Sequence, residues 1–356
     1  MINIVIIFLF VILAINCNKL IENYTYKICN QRAPRGLHKK YLINNHYKRV
    51  YNNNWDLYIP CGYKFVEKEI TKLLINKNNK LIFGISGSDK IASKNNLWNI
   101  LKDYYGRYEA SNIMPETYIP TVASDIILFK KNYSNQKTYI LKKNLQRKLG
   151  IKLMRNNNNI IDYCKKNNFV LIQEYIQNPF LVNGYKLNLR LFMLVICHNN
   201  IKNIYLHKSG KCLYTVQKYD NNLNFNSNIT SYLSNKHIYD TNPLSIEQFR
   251  MYLLKKNIDD IQVFKKIKNI MVKLATAIQN HICNFDKLSQ IKTFQLFGVD
   301  VILDHKLNPK LLEINKGPNM FPVNKDDSQI KQKIYQDLYD KAHAVENHIN
   351  GFDKLI

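Results

Sequence analysis

The sequence predicts a mixed α+β fold, and three observations support this prediction. Short apolar segments typical of strands alternate with helical segments between about residues 81 and 344. Over residues 247–283, apolar side chains recur mostly three or four positions apart, which indicates helix. Two apolar runs, 294–303 and 310–314, are joined by a short polar stretch, which predicts an antiparallel hairpin.

The other predicted elements flank these two in order along the chain. Residues 81–84 and 139–142 are expected to form short strands, whereas 169–175 and 187–197 have the apolar composition of longer, buried strands. Residues 328–344, after the hairpin, have the amphipathic pattern of a closing helix. We therefore expect lobes of one compact body, with antiparallel pairing in at least one of them.

The composition is that of a folded protein with a large positive charge. The 356 residues include 52 Lys plus Arg and 26 Asp plus Glu, a formal net charge of +26, and 46% of them are apolar. The apolar content excludes disorder throughout the chain. The charge favours nucleic acid, a membrane surface or an acidic protein as partner, although an overall Lys, Asn and Ile bias accounts for part of it.

We expect four segments along the chain. Residues 1–40 comprise an apolar segment and a basic linker, and residues 41–130 form an N-terminal lobe. Residues 131–345 form the main lobes, and residues 346–356 a C-terminal tail. No linker rich in Pro, Gly or Ser interrupts the body after about residue 41, so the lobes are expected to pack as one unit.

The first segment contains an unbroken apolar run at residues 4–15. The run is shorter than the roughly 20 residues that a spanning helix needs, and it fits an anchor, a signal segment or a buried core segment. Basic residues follow the run and none precedes it, so an anchor would leave the body in the cytosol. We expect a cytoplasmic protein, with membrane contact through residues 4–15 left open.

Seven cysteines are spread along the chain, and their pattern argues against cross-linking. Their number is odd, and the sequence has no C-x-x-C motif and no Cys/His cluster at zinc-ligand spacing. We therefore predict neither a disulfide framework nor a structural zinc site. A reducing compartment is the simpler interpretation.

The predicted hairpin carries the most informative polar residues. Residues two apart on a strand share a face, so Glu313 and Asn315 point the same way, and Asp300 on the preceding strand can come opposite them. Two carboxylates and an amide oxygen suit Mg²⁺. Spacing alone also fits a solvated hairpin face, but both acids lie inside apolar runs, where a carboxylate is costly unless paired or metal-bound.

Basic residues on two other strands suggest phosphate binding. Lys186, Asn188 and Arg190 alternate on one strand face, where Arg190 can act as a bidentate fork and Lys186 as a point charge. A solvent-facing strand is the alternative for this ladder. Lys142 ends an earlier strand and begins a polar loop, closed by Gly150, of the kind that can cover phosphates.

In this order the segments resemble the tubulin tyrosine ligase-like family of amino-acid ligases, which have an ATP-grasp fold. The resemblance covers roughly residues 41–345, and its most specific motif is the hairpin FGVDVILD and LLEINKGPNM. Four further motifs occur in the family's order: FGISGSDKIASKNNLW with MPETYIP, YILKKNLQRKLGI, IQEYIQNPFLVNGYKLNLR and SNITS. The resemblance implies a smaller N-terminal lobe, with the nucleotide bound between central and C-terminal lobes.

The resemblance also implies roles for individual residues. The adenine-contacting positions of the family fall on Gln173, Glu174, Tyr175 and Ile176. The other nucleotide-binding positions fall on Lys94, Lys142, Lys186, Asn188, Arg190 and Thr230. The Mg²⁺ ligands fall on Asp300, Glu313 and Asn315. Arg190 and Lys142 take the catalytic positions, at the transferred phosphate.

Departures from the family pattern concern the nucleotide and acceptor contacts. The ladder aspartate of the family is Asn188 here, which removes a charge near the ribose or the metal. Where the family has an arginine after its Gly-x-x, the segment SGKCLYT has Leu213, and Lys211 is a candidate to supply the lost charge. The phosphate loop over residues 144–149 lacks the usual Ser/Arg/Gly richness and is one residue shorter.

The implied activity is ATP- and Mg²⁺-dependent ligation of an amino acid, glutamate in preference to tyrosine, to glutamate side chains of acidic protein tails such as those of tubulin. The reaction would pass through an acyl phosphate, on microtubules, in a monomer that binds no nucleic acid. A catalytically impaired relative that binds nucleotide or microtubules is the alternative, favoured by Asn188 and Leu213. A basic nucleic-acid-binding protein is a third possibility, against which stands the absence of any such motif.

Overall fold

The fold was obtained as a computed structural model, and the structure describes residues 24–29, 36–76, 79–145, 150–219, 236–344 and 350–356. Within these ranges the strands form one sheet of eleven strands and one of four, and helices cover their faces. The predicted mixed α+β class is confirmed.

The strands are short in the N-terminal part and long around the centre. In chain order they are β1 (Thr25–Ile28), β2 (Lys48–Arg49), β3 (Leu57–Ile59), β4 (Leu81–Phe83), β5 (Thr117–Tyr118), β6 (Thr138–Lys142), β7 (Ile151–Arg155), β8 (Leu171–Glu174), β9 (Leu181–Val182), β10 (Tyr185–His198), β11 (Ile201–His207), β12 (Lys211–Tyr214), β13 (Lys292–Leu303), β14 (Pro309–Asn315) and β15 (Phe352–Lys354). The strands predicted at 81–84, 139–142, 169–175 and 187–197 correspond to β4, β6, β8 and β10.

The helices vary from one turn to five. They are α1 (Gly36–Asn44), α2 (Val66–Ile70), α3 (Ser88–Ala92), α4 (Lys94–Ile113), α5 (Ala123–Asn132), α6 (Ile160–Lys166), α7 (Ile246–Lys255), α8 (Asp260–Ile278) and α9 (Lys325–His343). Short 3₁₀ turns occur at Tyr63–Phe65, Lys236–Asp240, Gln279–His281 and Asp286–Leu288. The closing helix predicted at 328–344 is α9.

Strand β10 organises the larger sheet. It pairs antiparallel with β13 on one side and with β11 and β12 on the other. Strand β13 in turn pairs antiparallel with β14 and parallel with β4, from which the order continues through β3 and β1 to β2. The smaller sheet has the order β5-β8-β6-β7, with antiparallel pairing throughout.

The two faces of β10 bury different parts of the protein. Leu189 and Leu191 point into a core that also contains side chains of α4, α7 and α8. Phe192 and Leu194 point the other way, into a second core beneath α9. The N-terminal half of this second face carries polar and charged side chains, so one face of the strand changes from charged to apolar along its length.

The helical region predicted over 247–283 divides into two helices. Helix α7 begins at a capping box, in which the Ser245 hydroxyl accepts from the Gln248 amide and the Gln248 side chain accepts from the Ser245 amide. It ends at Lys255, and Asn257, two residues on, has a left-handed φ of 57°. Asp259 then caps α8 by accepting from the Gln262 amide. The apolar periodicity continues across this break, which is why the sequence pattern predicted one region.

The predicted hairpin is present as β13 and β14. Asp300 lies directly opposite Glu313, and the register then shifts so that Val301 lies opposite Leu311. Because of this shift, Leu311 and Ile314 both pack in the core. Strict alternation predicts instead that Leu312 and Ile314 share the apolar face.

The prediction that the cysteines form no disulfides is wrong. Cys29 is bonded to Cys61, and Cys197 to Cys283, across 32 and 86 residues of sequence. Cys164 and Cys212 are free and buried. The partners are brought together only by tertiary structure: Cys29 follows β1 and Cys61 follows the parallel neighbour β3. The number and spacing of cysteines in the sequence do not predict such contacts.

Thiol labelling tests the two disulfides directly. In denaturant without reductant, iodoacetamide should label Cys164 and Cys212 but not the four bonded cysteines, as read by peptide mass spectrometry. Removing the Cys197–Cys283 bond by serine substitution at both positions should lower the free energy of unfolding by about 2–4 kcal/mol. Full labelling of Cys197 and Cys283 in the unreduced protein would contradict this pairing.

The expectation of a membrane anchor is not upheld. In the part of the chain that the structure describes, every helix is too short or too polar to cross a membrane. Residues 4–15, on which the expectation rested, lie outside the described residues, and the anchored location is withdrawn.

Candidate active site

The charged half of the β10 face is continuous with charged positions on its neighbours. Lys186, Asn188 and Arg190 alternate along β10, as the sequence predicted. Arg190 lies directly opposite Asp300 on β13 and Lys211 on β12. Because direct cross-strand neighbours share a face, one row of charged side chains crosses four strands, from β14 to β12.

The three oxygen-bearing residues of the hairpin lie together. The Asn315 Nδ2 atom is 3.2 Å from Glu313 Oε1 and 3.5 Å from Asp300 Oδ2. Arg190 grips Asp300 with two parallel bonds, Nε to Oδ1 at 2.5 Å and Nη2 to Oδ2 at 2.9 Å. The guanidinium therefore fixes the orientation of one carboxylate of the set.

Three lysines lie around this row, Lys186 on β10 itself and the other two on separate elements. The Lys94 Nζ atom lies 3.5 Å from Glu313 Oε2, at the start of α4. Lys142, on β6 of the smaller sheet, donates to Gln173 Oε1 at 2.7 Å. Lys186 donates to the Tyr175 hydroxyl at 2.9 Å, with its ammonium 4.2 Å from the centre of that ring. All three lysines are buried, so the site is strongly cationic.

Three of the expected nucleotide-binding residues are not part of these contacts. The Glu174 carboxylate faces away from the buried lysines and pairs with Lys137 at 2.6 Å. Ile176 is half-buried just beyond β8. Thr230 lies outside the described residues. The other ten of the thirteen predicted side chains lie along the charged row and β10, or are its three lysines and their hydrogen-bond partners.

Burial and neighbouring charges shift the pKa values of the site. Burial lowers the pKa of Lys142 to about 8, with Glu313 and Asp300 opposing the shift and Lys94 adding to it. Burial and the charge on Lys142 lower the pKa of Lys186 to about 7. Burial pushes the pKa of Glu313 upward, but Lys94, Lys142 and Arg190 outweigh it and hold it below its ordinary value. Burial raises the pKa of Asp300 despite Arg190.

These shifts predict proton uptake when a polyphosphate such as ATP binds. At pH 8, Lys186 is largely neutral in the free protein, and an added anion restores its charge by raising its pKa. At pH 6 the lysine is already protonated, so no uptake is expected. Calorimetric titrations in two buffers of different ionisation enthalpy measure the proton count.

The variant Lys186→Met is the control, because it should reduce the uptake at pH 8. Equal heats in the two buffers at pH 8 for the unaltered protein would contradict the prediction. The shift also gives the free energy of unfolding a pH slope: Lys186 binds fewer protons folded than unfolded, so its contribution makes unfolding less favourable as pH rises from about 7 to about 10.

The donor set fits a hard divalent cation and a hydroxyl-bearing ligand. Asp300, Glu313 and Asn315 offer carboxylate and amide oxygens on one face, the ligand type that Mg²⁺ prefers. The Asn188 Oδ1 atom is buried and has no hydrogen-bond partner among the described residues. A buried acceptor left unpaired is costly, so a donor such as a sugar hydroxyl suits this position.

Two charged residues beside the row were not predicted from the sequence. Asp327 and Lys331, on α9, are both buried and pair with each other at 2.9 Å. They occupy the same helical stripe as Ile334 and Leu338, which pack in the second core. Charged residues on the apolar stripe of an amphipathic helix were the signal that could have identified them.

Comparison with known proteins gives a consistent result. The sequence matches the model of the tubulin-tyrosine ligase family over residues 74–349. The tubulin polyglutamylase TTLL7 of Mus musculus is 28% identical over 304 residues, covering 78% of this chain and 32% of that protein. The tubulin monoglutamylase TTLL4 of Mus musculus is 26% identical over 280 residues, covering 73% of this chain and 23% of that protein. The probable tubulin polyglutamylase ttll-9 of Caenorhabditis elegans is 25% identical over 269 residues, covering 69% of this chain and 63% of that protein.

The chain spans a third or less of the length of the first two relatives. The family match, by contrast, covers well over half of this chain and runs from before β4 to beyond α9, so it includes every described site residue. The resemblance inferred from the motifs is confirmed, and the chain belongs to the tubulin-tyrosine ligase family.

Proposed function

We propose that the protein is an ATP-dependent ligase that adds glutamate to glutamate side chains of acidic protein tails such as those of tubulin. The observation that carries the proposal is the face shared by Asp300, Glu313 and Arg190, with three buried lysines around it. Family membership supports ligase chemistry, and relatives named as tubulin glutamylases support glutamate and tubulin as substrates.

The nucleotide would lie between the two sheets, which together supply its contacts. Asp300, Glu313 and Asn315 would hold Mg²⁺, which supplies positive charge to the phosphates when bound. Lys142 and Lys94 lie where they can pair with phosphate oxygens, and Gln173 is already held by Lys142. The smaller sheet and the hairpin thus act as two sides of one phosphate clamp.

The proposed reaction has two displacements. A carboxylate oxygen of the acceptor attacks the γ-phosphorus of ATP, and ADP leaves, which gives an acyl phosphate. The amine of the incoming amino acid then attacks the acyl carbon, loses a proton, and phosphate leaves with the transferred oxygen. No protein nucleophile takes part, so Arg190 and the lysines act by positioning the groups and by balancing the charge that develops.

The net charge supports an acidic protein as acceptor. Lys plus Arg exceed Asp plus Glu by 26. A cationic surface raises the rate of encounter with an anionic segment, and this effect weakens as salt screens the charges. The charge is therefore assigned to substrate encounter, and the chemistry to the hairpin.

Mass spectrometry of purified tubulin tests the proposal. Tubulin is incubated with the protein, ATP, Mg²⁺ and an equimolar mixture of amino acids. The expected product carries glutamate residues on tail glutamates, and it forms only when ATP is present. Tubulin of unchanged mass, or tubulin carrying another amino acid, would overturn the assignment.

A second candidate, a relative that binds nucleotide without ligating, is favoured by one observation. The two positions that depart from the family pattern, Asn188 and Leu213, lie directly opposite each other on β10 and β12. Neither side chain is charged, so this part of the site lacks the aspartate and the arginine that the family pattern has there. Tight ATP binding without ADP formation in the presence of tubulin would select this candidate.

A further inference from the structure

Three buried charged residues form a cluster at the β12 end of the site. The Asp327 Oδ2 atom accepts from Lys211 Nζ at 2.8 Å and from Lys331 Nζ at 2.9 Å. It also accepts from the Val323 amide at 2.8 Å. The Lys211, Asp327 and Lys331 side chains are 8%, 1% and 4% exposed, so solvent screens their charges poorly.

The charges of this cluster do not balance. Two lysines share one carboxylate, and the adjacent guanidinium of Arg190 is already matched by Asp300. Asp327 Oδ1 is buried and has no hydrogen-bond partner among the described residues. Burial lowers the pKa of both lysines, which is the response expected of cations that lack sufficient counter-charge. An additional anionic group would complete the cluster.

The position of Lys211 indicates what that group belongs to. Lys211 lies directly opposite Arg190, and Arg190 lies directly opposite Asp300. Neighbouring strands are about 4.8 Å apart, so the cluster lies about 10 Å from the hairpin strand β13 along the row. A small molecule held at Lys211 by a carboxylate can therefore direct its other end toward Arg190 and Asp300, where the acyl phosphate is proposed to form.

We propose that Lys211 and Lys331 form the carboxylate-binding subsite for the free acidic amino acid that the enzyme adds. This inference rests on the proposed function. The side-chain carboxylate of the amino acid pairs with the two lysines, and its amine faces the Arg190 and Asp300 end of the row. Charge-assisted hydrogen bonds to buried lysines select an amino acid with an acidic side chain over one with a neutral side chain.

The variant Lys211→Met removes the ammonium and keeps the length of the side chain. Asp327 keeps its bonds to Lys331 and the Val323 amide, so its carboxylate stays paired when the link from β12 to α9 is removed. Binding of radiolabelled glutamate is measured by equilibrium dialysis with a non-hydrolysable ATP analogue and Mg²⁺. The Kd for glutamate should rise at least about tenfold, while the Kd for the analogue should stay unchanged.

Two further variants make the test specific. Lys211→Arg retains the charge and should keep glutamate binding within about threefold of the unaltered protein. Lys208→Met is the matched control: Lys208 is 63% exposed and pairs with Asp353 at 3.3 Å, so its loss should change neither affinity. A thermal melt of each variant reports whether the fold is retained.

The outcomes separate this inference from the proposed function. Unchanged glutamate affinity in Lys211→Met, with or without a lower Tm, would show that the cluster only ties α9 to the sheet. Absence of glutamate binding to the unaltered protein would also overturn the subsite. Glutamate binding that depends on Lys211, in a protein that leaves tubulin unmodified, would support the subsite and reject the ligase.

Discussion

Replacing Glu313 with glutamine is expected to lower the rate of ligation by at least about a hundredfold, because it removes one of the two carboxylates that would hold Mg²⁺. The substitution keeps the size of the side chain. Its amide oxygen can still accept from Asn315 Nδ2, now at 3.2 Å from Glu313 Oε1. The backbone pairing of β14 with β13 at Asp300 does not depend on this side chain, so the fold should be retained.

Initial rates of glutamate incorporation, alongside a thermal melt, measure the effect of Glu313→Gln. The matched control is Glu109→Gln, since Glu109 pairs with Lys273 on the far side of α4 and takes no part in the site. This control should retain full activity. Full activity in Glu313→Gln would contradict the assignment of the hairpin as the metal site.

Replacing Arg190 with lysine should lower turnover by about a hundredfold, although the charge is kept. Lysine cannot reproduce the two parallel bonds to Asp300, so the orientation of that carboxylate is lost. The alanine variant should also unfold more easily, by about 3–5 kcal/mol, because it leaves the buried Asp300 without its partner.

The Arg190 variants are compared with Arg250→Lys. Arg250 also pairs with an aspartate, Asp260, at 2.6 Å, but its side chain is 42% exposed. The substituted side chain keeps a positive charge beside Asp260, so the free energy of unfolding should change by less than about 1 kcal/mol. Chemical denaturation gives the stabilities, and ligation assays give the rates. Equal effects at the two arginines would show that the Arg190 pair has no special part in the site.

The sequence allowed prediction of the parts of the site that lie on continuous strands. Alternation on β10 placed Lys186, Asn188 and Arg190 on one face, and the apolar runs of the hairpin placed Asp300 opposite Glu313. Both patterns are local, because side-chain direction in a strand repeats every two residues. Only the register shift beside Asp300 departed from the expectation, since a bulge leaves no clear mark on an apolar run.

Contacts between distant segments were not predictable from spacing. The bond between Lys142 and Gln173 depends on the pairing of β6 with β8. The disulfides and the link from Lys211 to Asp327 join segments that are far apart in sequence. The division of α7 from α8 depends on the left-handed backbone of Asn257, a conformation that asparagine tolerates but does not require. Each of these features is decided by tertiary structure.

Transfer of oxygen from acceptor to phosphate is the most direct test of the proposed ligation. An acidic tail peptide with ¹⁸O in its glutamate side-chain carboxylates is incubated with the protein, ATP, Mg²⁺ and glutamate, and the released phosphate is analysed by mass spectrometry. We expect one ¹⁸O atom in the phosphate for each bond formed, with ADP as the other product. Unlabelled phosphate, or release of AMP and pyrophosphate, would contradict ligation through an acyl phosphate at this site.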